Sequence, residues 1–296
     1  MLLRTNGGGA PLKLPFELRN LLPPDLLPAL DEAEIEHPEE LRLRIGQKLA
    51  VVTATDTVHL NSPKITAQHL DHLLERASGF SAHVSSELLR QGYLHTAAGC
   101  RIGFCGTVTG DGTVLRALTS ASIRIPRAVP GCAADVAGQL LRDGLENTLL
   151  LSPPGCGKTT LLRDLIRSLS ACGYRISAAD ERGELAGQSG RKLGFDLGPN
   201  TDVMTGGVKA ESAMMLLRAM NPQILAFDEI TAAQDLEVIR QAAGCGVTLL
   251  ATAHAESRAL MKCRPLYREL LDSRIFRKAV WIRIEHGRRL YEMERL

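Results

Sequence analysis

Nine consecutive residues, Ser152-Pro153-Pro154-Gly155-Cys156-Gly157-Lys158-Thr159-Thr160, constrain this chain more than any other stretch of it. The apolar run Thr148–Leu151 leads in and the helical pattern Leu161–Ile166 leads out, so a small-residue loop ending in Gly-Lys-Thr joins a strand to a helix. That order makes a phosphate cradle. Gly155 and Gly157 let the backbone curl until its N–H groups converge, and the helix N-terminus adds partial positive charge. Lys158 has the reach for the β- and γ-phosphates of a nucleoside triphosphate, and the Thr159 hydroxyl for a Mg²⁺ ion. Ser152 stands where the loop pattern usually opens with glycine; serine serves if its φ is negative. An ordinary Gly/Pro turn before a helix accounts for Pro153-Pro154 but leaves Gly-Lys-Thr at a strand–helix junction unexplained.

Downstream of Pro126–Pro130 strands and helices alternate. Helices are expected over 134–143, 160–171, 211–220 and 235–243, and buried strands over 149–151, 176–179, 223–227 and 246–251. Apolar runs separated by helices make a parallel sheet with helices on both faces, hence an α/β domain over 131–296. Residues 1–130 have a different grammar. Pro23, Pro24 and Pro28 break 18–30 into short helical turns. Strands are expected at 40–45, 49–52, 94–96, 101–108, 114–118 and 122–126, with a hairpin turn at Asp111-Gly112. Thr66 caps a helix over 67–78, and a second helix covers 81–91. This is a smaller α+β domain.

In an open parallel sheet, ligands collect at the carboxyl ends of the strands. Four strand ends here carry polar groups: the loop itself, Asp180-Glu181, Asp228-Glu229 and Thr252-Ala253-His254. After the apolar strand Leu225-Ala226-Phe227, Asp228 is placed to hold Mg²⁺. Glu229 faces the other way and can polarise an attacking water, which favours hydrolysis over a nucleotide switch or a kinase. Glu181, in the acidic box 180–184, is a further candidate for water or metal contacts, and His254 is placed to sense the γ-phosphate. Arg218 reads equally well as a helix-face ion pair.

Composition excludes some alternatives. A net charge of +2 gives no polyanion-binding field, and 4% aromatic residues offer few stacking platforms, so a nucleic-acid partner is not expected. Seven scattered cysteines without a C-x-x-C pair suggest reduced thiols rather than a zinc site or disulfide frame. There is no secretory-signal pattern and no apolar run long enough to span a membrane.

The loop and its flanks, Leu150–Asp164, closely resemble the stage III sporulation protein AA family. The likeness extends through Asp180–Glu184, Thr201–Val203, Lys209–Glu211, Asp228–Ile230 and Ala251–His254. In the first half it takes in Leu41–Gly46, Gly92-Tyr93, Arg101–Gly103 and Ile123–Arg127. Gly183 and Asn200 depart from the expected Ser and Arg. That family looks like the hexameric traffic ATPases of type II and type IV secretion. The resemblance implies a RecA-like ATPase domain behind an α+β domain, ATP and Mg²⁺ as cofactors, and a hexamer. It also implies a cytoplasmic location, peripheral at a membrane complex, with channel proteins of the sporulation apparatus as partners. In those ATPases, arginines of the first domain reach the nucleotide. Arg124, opposite the buried Ile123 and Ile125, and Arg127, at the mouth of the linker, are the candidates here. The expectation is an ATPase that energises or assembles a membrane-associated channel. Its rivals are a nucleic-acid motor of the same fold and a non-catalytic ATP-binding scaffold.

Overall fold

The computed structural model describes residues 12, 14, 16–53, 55–81, 90, 92–95, 100–109, 115–125, 128–187, 193–285 and 288–296. The chain forms two compact units, Met1–Arg127 with Gly187–Gly194, and Ala128–Ala186 with Phe195–Leu296.

The first unit is an antiparallel sheet backed by helices. Its strands are β1 (Glu40–Arg44), β2 (Lys48–Val52), β3 (Thr57–Lys64), β4 (Tyr93–His95), β5 (Arg101–Val108) and β6 (Leu115–Arg124), in the order β3-β2-β1-β6-β5-β4. The helices α1 (Phe16–Arg19), α2 (Leu27–Asp31) and α3 (Ala67–Ala77) contribute Leu18, Leu30, Leu70 and Leu73 to a core shared with Leu41, Leu43, Ile102 and Ile123. Alternation on β1 buries those leucines and turns Arg42 and Arg44 to the other face. The two strands expected at 114–118 and 122–126 are one continuous β6. Its pairing with β5 shifts at Gly106, where Ala117 takes a φ of 43° and a Cβ on Gly106 would sit 2.5 Å from the Arg116 carbonyl. This bulge reads as a break in periodicity, and so as two strands. β3 was not foreseen, because its exposed residues include Val58 and its pairing with β2 slips between Lys48 and Ala50. The Asp111-Gly112 turn and the body of the 81–91 helix lie outside the described residues.

The second unit has seven strands in the order β13-β12-β7-β11-β10-β8-β9. They are β7 (Thr148–Ser152), β8 (Ile176–Asp180), β9 (Thr201–Thr205), β10 (Ile224–Phe227), β11 (Thr248–His254), β12 (Lys278–Glu285) and β13 (Arg288–Arg295). All neighbouring pairs are parallel except β12 with β13. Among the described residues six helices complete it: α4 (Ala134–Arg142), α5 (Lys158–Ala171), α6 (Lys209–Met220), α7 (Ala233–Gly244), α8 (Arg258–Cys263) and α9 (Pro265–Asp272). Successive strand residues feed opposite faces. Leu149, Leu151, Leu225 and Phe227 pack with α7 and α9, whereas Leu150, Ile224 and Ala226 pack with Leu161, Leu165 and Leu169 of α5. That two-sided burial makes the strands unbroken apolar runs. Among the described residues, no helix is long and apolar enough to cross a membrane. Among the described residues, which include all seven cysteines, there is no disulfide.

The start of α4 is tied to α5 by Asp164. This buried carboxylate accepts from the Ala133 amide at 2.7 Å and from Arg167 Nε at 2.8 Å. Burial opposes its charge, but the Ala133 amide and Arg167 outweigh burial, and its pKa lies below the ordinary carboxylate value. A lowered carboxylate pKa stabilises the fold above the unfolded value and loses that contribution as pH falls through the native one. Asp164→Ala is therefore expected to cost about 1.5–3 kcal/mol at neutral pH, the scale for a hydrogen-bonded buried charge. The gap from wild type should shrink as the buffer is acidified. Urea melts at two pH values check it; a deficit that stays constant with pH rejects the charged-state account.

Candidate functional site

In sheet order, β7, β11, β10 and β8 are consecutive, so the four polar strand ends lie side by side. The loop after β7 has the backbone that a phosphate cradle needs. Gly155 and Gly157 sit at φ 77° and 96°, the left-handed region that side chains resist, and Gly157 precedes the first residue of α5. Ser152 is buried at the end of the strand, and its hydroxyl donates to the Pro153 carbonyl at 2.8 Å. Lys158 is buried at the mouth of this curl. Its ammonium donates to the Ser152 carbonyl (3.0 Å), the Ser152 hydroxyl (3.1 Å), the Pro153 carbonyl (3.0 Å) and His254 Nδ1 (2.7 Å). Burial pulls its pKa below the ordinary lysine value. Pro154, Gly155, Cys156 and Thr160 complete the loop and first turn. The left-handed glycines, the caged lysine and the 14-residue helix behind them fit a polyphosphate.

Beside the loop the hydroxyl of Thr159 donates to Asp228 at 3.0 Å, and that of Thr252 donates to the other carboxylate oxygen at 2.9 Å. Burial drives the Asp228 pKa up against the opposing pull of those two hydroxyls. An ion there would meet one hydroxyl and one carboxylate. That donor set suits Mg²⁺, which keeps most of its ligands as water and phosphate oxygen.

Glu229, next along, turns the other way and meets different groups. One carboxylate oxygen lies 3.0 Å from His254 Nε2 and the other 3.2 Å from Arg182 Nη1. Lys158 has only protons to offer His254 Nδ1, so that nitrogen accepts and Nε2, the nitrogen near Glu229, carries the ring hydrogen. Lys158, His254 and Glu229 thus stand in one row, the first two hydrogen-bonded and the last two in ion-pair contact. Glu229 holds a φ of 54°, a strained value for a side-chain-bearing residue. Its neighbours fix it there. Its amide donates to the Thr252 hydroxyl at 2.8 Å, its carbonyl accepts from Lys209, and the next amide, Ile230, donates to the Thr252 carbonyl at 2.8 Å. Lys209 is itself buried, 3.4 Å from Asp235.

The acids of the box 180–184 line a small cavity with Asp228 and Glu229, and each has different surroundings. Asp180 is buried and accepts from the Leu185 and Ala186 amides at 3.1 and 2.9 Å, so it staples its own turn, and burial raises its pKa. Glu181 is exposed at the rim, 4.0 Å from Lys209. Gly183 has a φ of 67°, which explains glycine there in backbone terms. Asn200 closes the end of α5: its amide donates to the Ser170 hydroxyl at 2.8 Å and its side chain to the Ser170 carbonyl at 3.0 Å. Arg218 is exposed on α6. In the first unit, Arg124 is exposed and shares a shallow cavity of about 400 Å³ with Arg42, Arg44, Arg101 and Glu40. Arg127 lies outside the described residues. Lys209, Asp235 and Arg289 are the site-side residues that the sequence did not single out. Asp235 had a local signal, since its carboxylate accepts from the Thr231 and Ala232 amides as an acid in a helix's first turn does.

A family model described as "Sporulation stage III, protein AA" matches residues 17–290. Stage III sporulation protein AA of Bacillus subtilis (strain 168) is 34% identical over 272 residues, 88% of each chain. Among solved structures, the Legionella pneumophila ATPase DotB aligns with a TM-score of 0.60 at 14% identity, over 88% of this chain and 76% of that one. The pilus retraction motor PilT with bound ADP aligns at 0.61 and 16%, over 88% and 79%. At those identities the likeness speaks for the fold, a RecA-like P-loop arrangement.

Proposed function

We propose that this chain, which belongs to the stage III sporulation protein AA family, is a Mg²⁺-dependent ATPase whose turnover drives or assembles a membrane-associated channel. The observation that carries the reading is the convergence on adjacent strand ends of a glycine cradle, the Thr159–Asp228 pair and the Lys158–His254–Glu229 row. Residues 152–160 bind the phosphates through backbone N–H groups and Lys158. Thr159 and Asp228 hold the ion, which when bound offsets phosphate charge. Glu229 takes the proton of the attacking water, while His254 fixes its carboxylate and links it to the lysine that grips the phosphate. Glu181 is retained as a rim residue for water. A homo-oligomer, a hexamer in the manner of secretion ATPases, and a peripheral cytoplasmic position at channel proteins complete the proposal. The test is phosphate release by the purified protein with Mg²⁺ and with chelator. Release that needs Mg²⁺ and ignores single-stranded DNA supports it; nucleotide binding without turnover, even with membrane fractions, selects the scaffold.

Arg124 enters this proposal through its own surroundings. Three other arginines, Arg42, Arg44 and Arg101, line its cavity with, among the described residues, one acid, Glu40, which is already bonded to Arg42 and the Ser122 hydroxyl. A cation that meets charge as it develops acts on turnover more than on binding. Arg124→Ala is expected to lower kcat by about 10-fold or more while the ATP dissociation constant stays within about 3-fold, on the scale of arginines that assist phosphoryl transfer. Equal losses in both would remove Arg124 from the candidate catalytic set and leave Arg127 to its own alanine variant.

A further inference from the structure

The antiparallel hairpin β12–β13 closes the sheet on the side of β7 away from β11, β10 and the carboxylates. On β13 the alternating residues Arg289, Tyr291 and Met293 share one face. Tyr291 and Met293 pack on the same core as α5, and Arg289 continues that row past the core to the loop. There its Nε donates to the Cys156 carbonyl at 3.1 Å, and a Cβ on Gly157 would lie 3.0 Å from the same nitrogen. Gly157 is required by its φ of 96°, and a larger residue there would also press on the Arg289 side chain.

The electrostatics of this placement demand a partner. Two hairpin arginines meet acids, Arg283 at 3.5 Å from Glu292 and Arg295 at 3.3 Å from Glu146, whereas Arg288 and Arg289 have no ion pair among the described residues; of these two, Arg289 is the one laid on the loop. Arg289 makes no ion pair among the described residues; its surroundings are the Cys156 carbonyl, Tyr291 and Cys132. It nevertheless sits at the N-terminus of a 14-residue helix, the end at which a cation is disfavoured, close to a second cation in Lys158. A multiply charged anion between them reverses that balance.

We propose that Arg289 is a second cation of the nucleotide site, fixing the Cys156–Gly157 turn through Nε and offering its terminal nitrogens to the α-phosphate. The inference rests on the ATPase reading and adds a direction to it. Asp228, Glu229 and His254 approach from the β10–β11 side, so they attend the terminal phosphate. Arg289 approaches from the β13 side and meets the nucleoside end of the chain. Its contact is shared by ATP and ADP and unchanged by hydrolysis.

The experiment is ATP and ADP binding by titration calorimetry on the full chain, with saturating turnover alongside, for wild type, Arg289→Ala, Arg289→Gln and Arg289→Lys. Arg289→Ala and Arg289→Gln are expected to weaken both nucleotides by about 10-fold each, the scale of one charge-assisted contact. The loss should fall on affinity more than on saturating turnover, and Arg289→Lys should recover part of the affinity because it keeps the charge. Melting without nucleotide should not move, since Arg289 is exposed. Gln can still donate to the Cys156 carbonyl, so wild-type affinity in Arg289→Gln would reduce Arg289 to a loop latch and overturn the phosphate contact. Loss of ATP binding with ADP spared would place the contact at the γ-phosphate and overturn it equally. Wild type that binds neither nucleotide overturns the ATPase reading itself, whereas unchanged affinity in Arg289→Ala beside a binding wild type overturns this inference alone.

Discussion

Lys158→Ala should bind ATP about 100-fold or more weakly than wild type while melting at the same temperature or higher. The affinity loss follows from removing a charge-assisted contact to phosphate from a water-poor site. Stability should survive because Lys158 is costly to the fold when no anion accompanies it. Its ammonium is buried, and burial lowers its pKa, so the folded chain disfavours the charged form. A lysine pKa depressed by folding subtracts stability below the unfolded value, and deleting the group removes that cost. The Ser152 and Pro153 carbonyls lose a donor, but Pro153 keeps the Ser152 hydroxyl. Fluorescent-nucleotide titration and a thermal melt on the same sample decide it. Wild-type affinity in the variant would mean that the loop does not hold the phosphates.

The parts of this protein that were legible in its sequence are those whose causes are local. The cradle announces itself because Gly155, Gly157, Lys158 and Thr159 are fixed by backbone sterics and phosphate chemistry within nine residues. The strands β7, β8, β10 and β11 are legible because burial on both faces leaves mostly apolar residues in them. The acids after β10 follow from the same logic, since polar groups appear where a buried strand ends. Asp180 shows the limit of that logic. It too ends a buried strand, but its oxygens are spent on the Leu185 and Ala186 amides, and nothing in the spacing distinguishes a turn staple from a ligand.

What was not legible depends on contacts between distant segments. β9 follows a long connection and carries the polar run Thr201-Asp202-Val203-Met204-Thr205, which periodicity does not mark as a strand. β13 alternates charged and apolar residues at an exposed edge, so it scans as surface. Its bearing on the site comes only when its pairing with β12, Glu285 with Arg288 through Lys278 with Arg295, lays Arg289 on the loop 133 residues earlier in the chain. Lys209 is similar: at the start of a helix it reads as a solvated charge, whereas it is buried against the Glu229 carbonyl and Asp235.

Glu229→Gln should bind Mg²⁺-ATP within about 3-fold of wild type and turn it over about 10²–10⁴-fold more slowly, the range that a positioned general base contributes. The geometry makes this substitution unusually clean. His254 Nε2 lies 3.0 Å from one Glu229 oxygen, and a glutamine carbonyl can occupy that place. The Lys158–His254 contact at 2.7 Å therefore stays, and with it the lysine's position at the loop. The backbone of residue 229 is held by Thr252 and Lys209 through its own amide and carbonyl, neither of which the substitution touches. What is lost is the capacity to take a proton, together with the charge that faces Arg182 at 3.2 Å in an exposed pair worth little to the fold. His254→Ala probes the same row from its middle. It leaves Glu229 charged but unanchored, so turnover should fall by a smaller factor, with part of the loss in ATP affinity through Lys158. Single-turnover hydrolysis beside nucleotide binding separates the two variants. If Glu229→Gln turns over like wild type, the base lies elsewhere, and the exposed Glu181 on the neighbouring strand end is the group to mutate next.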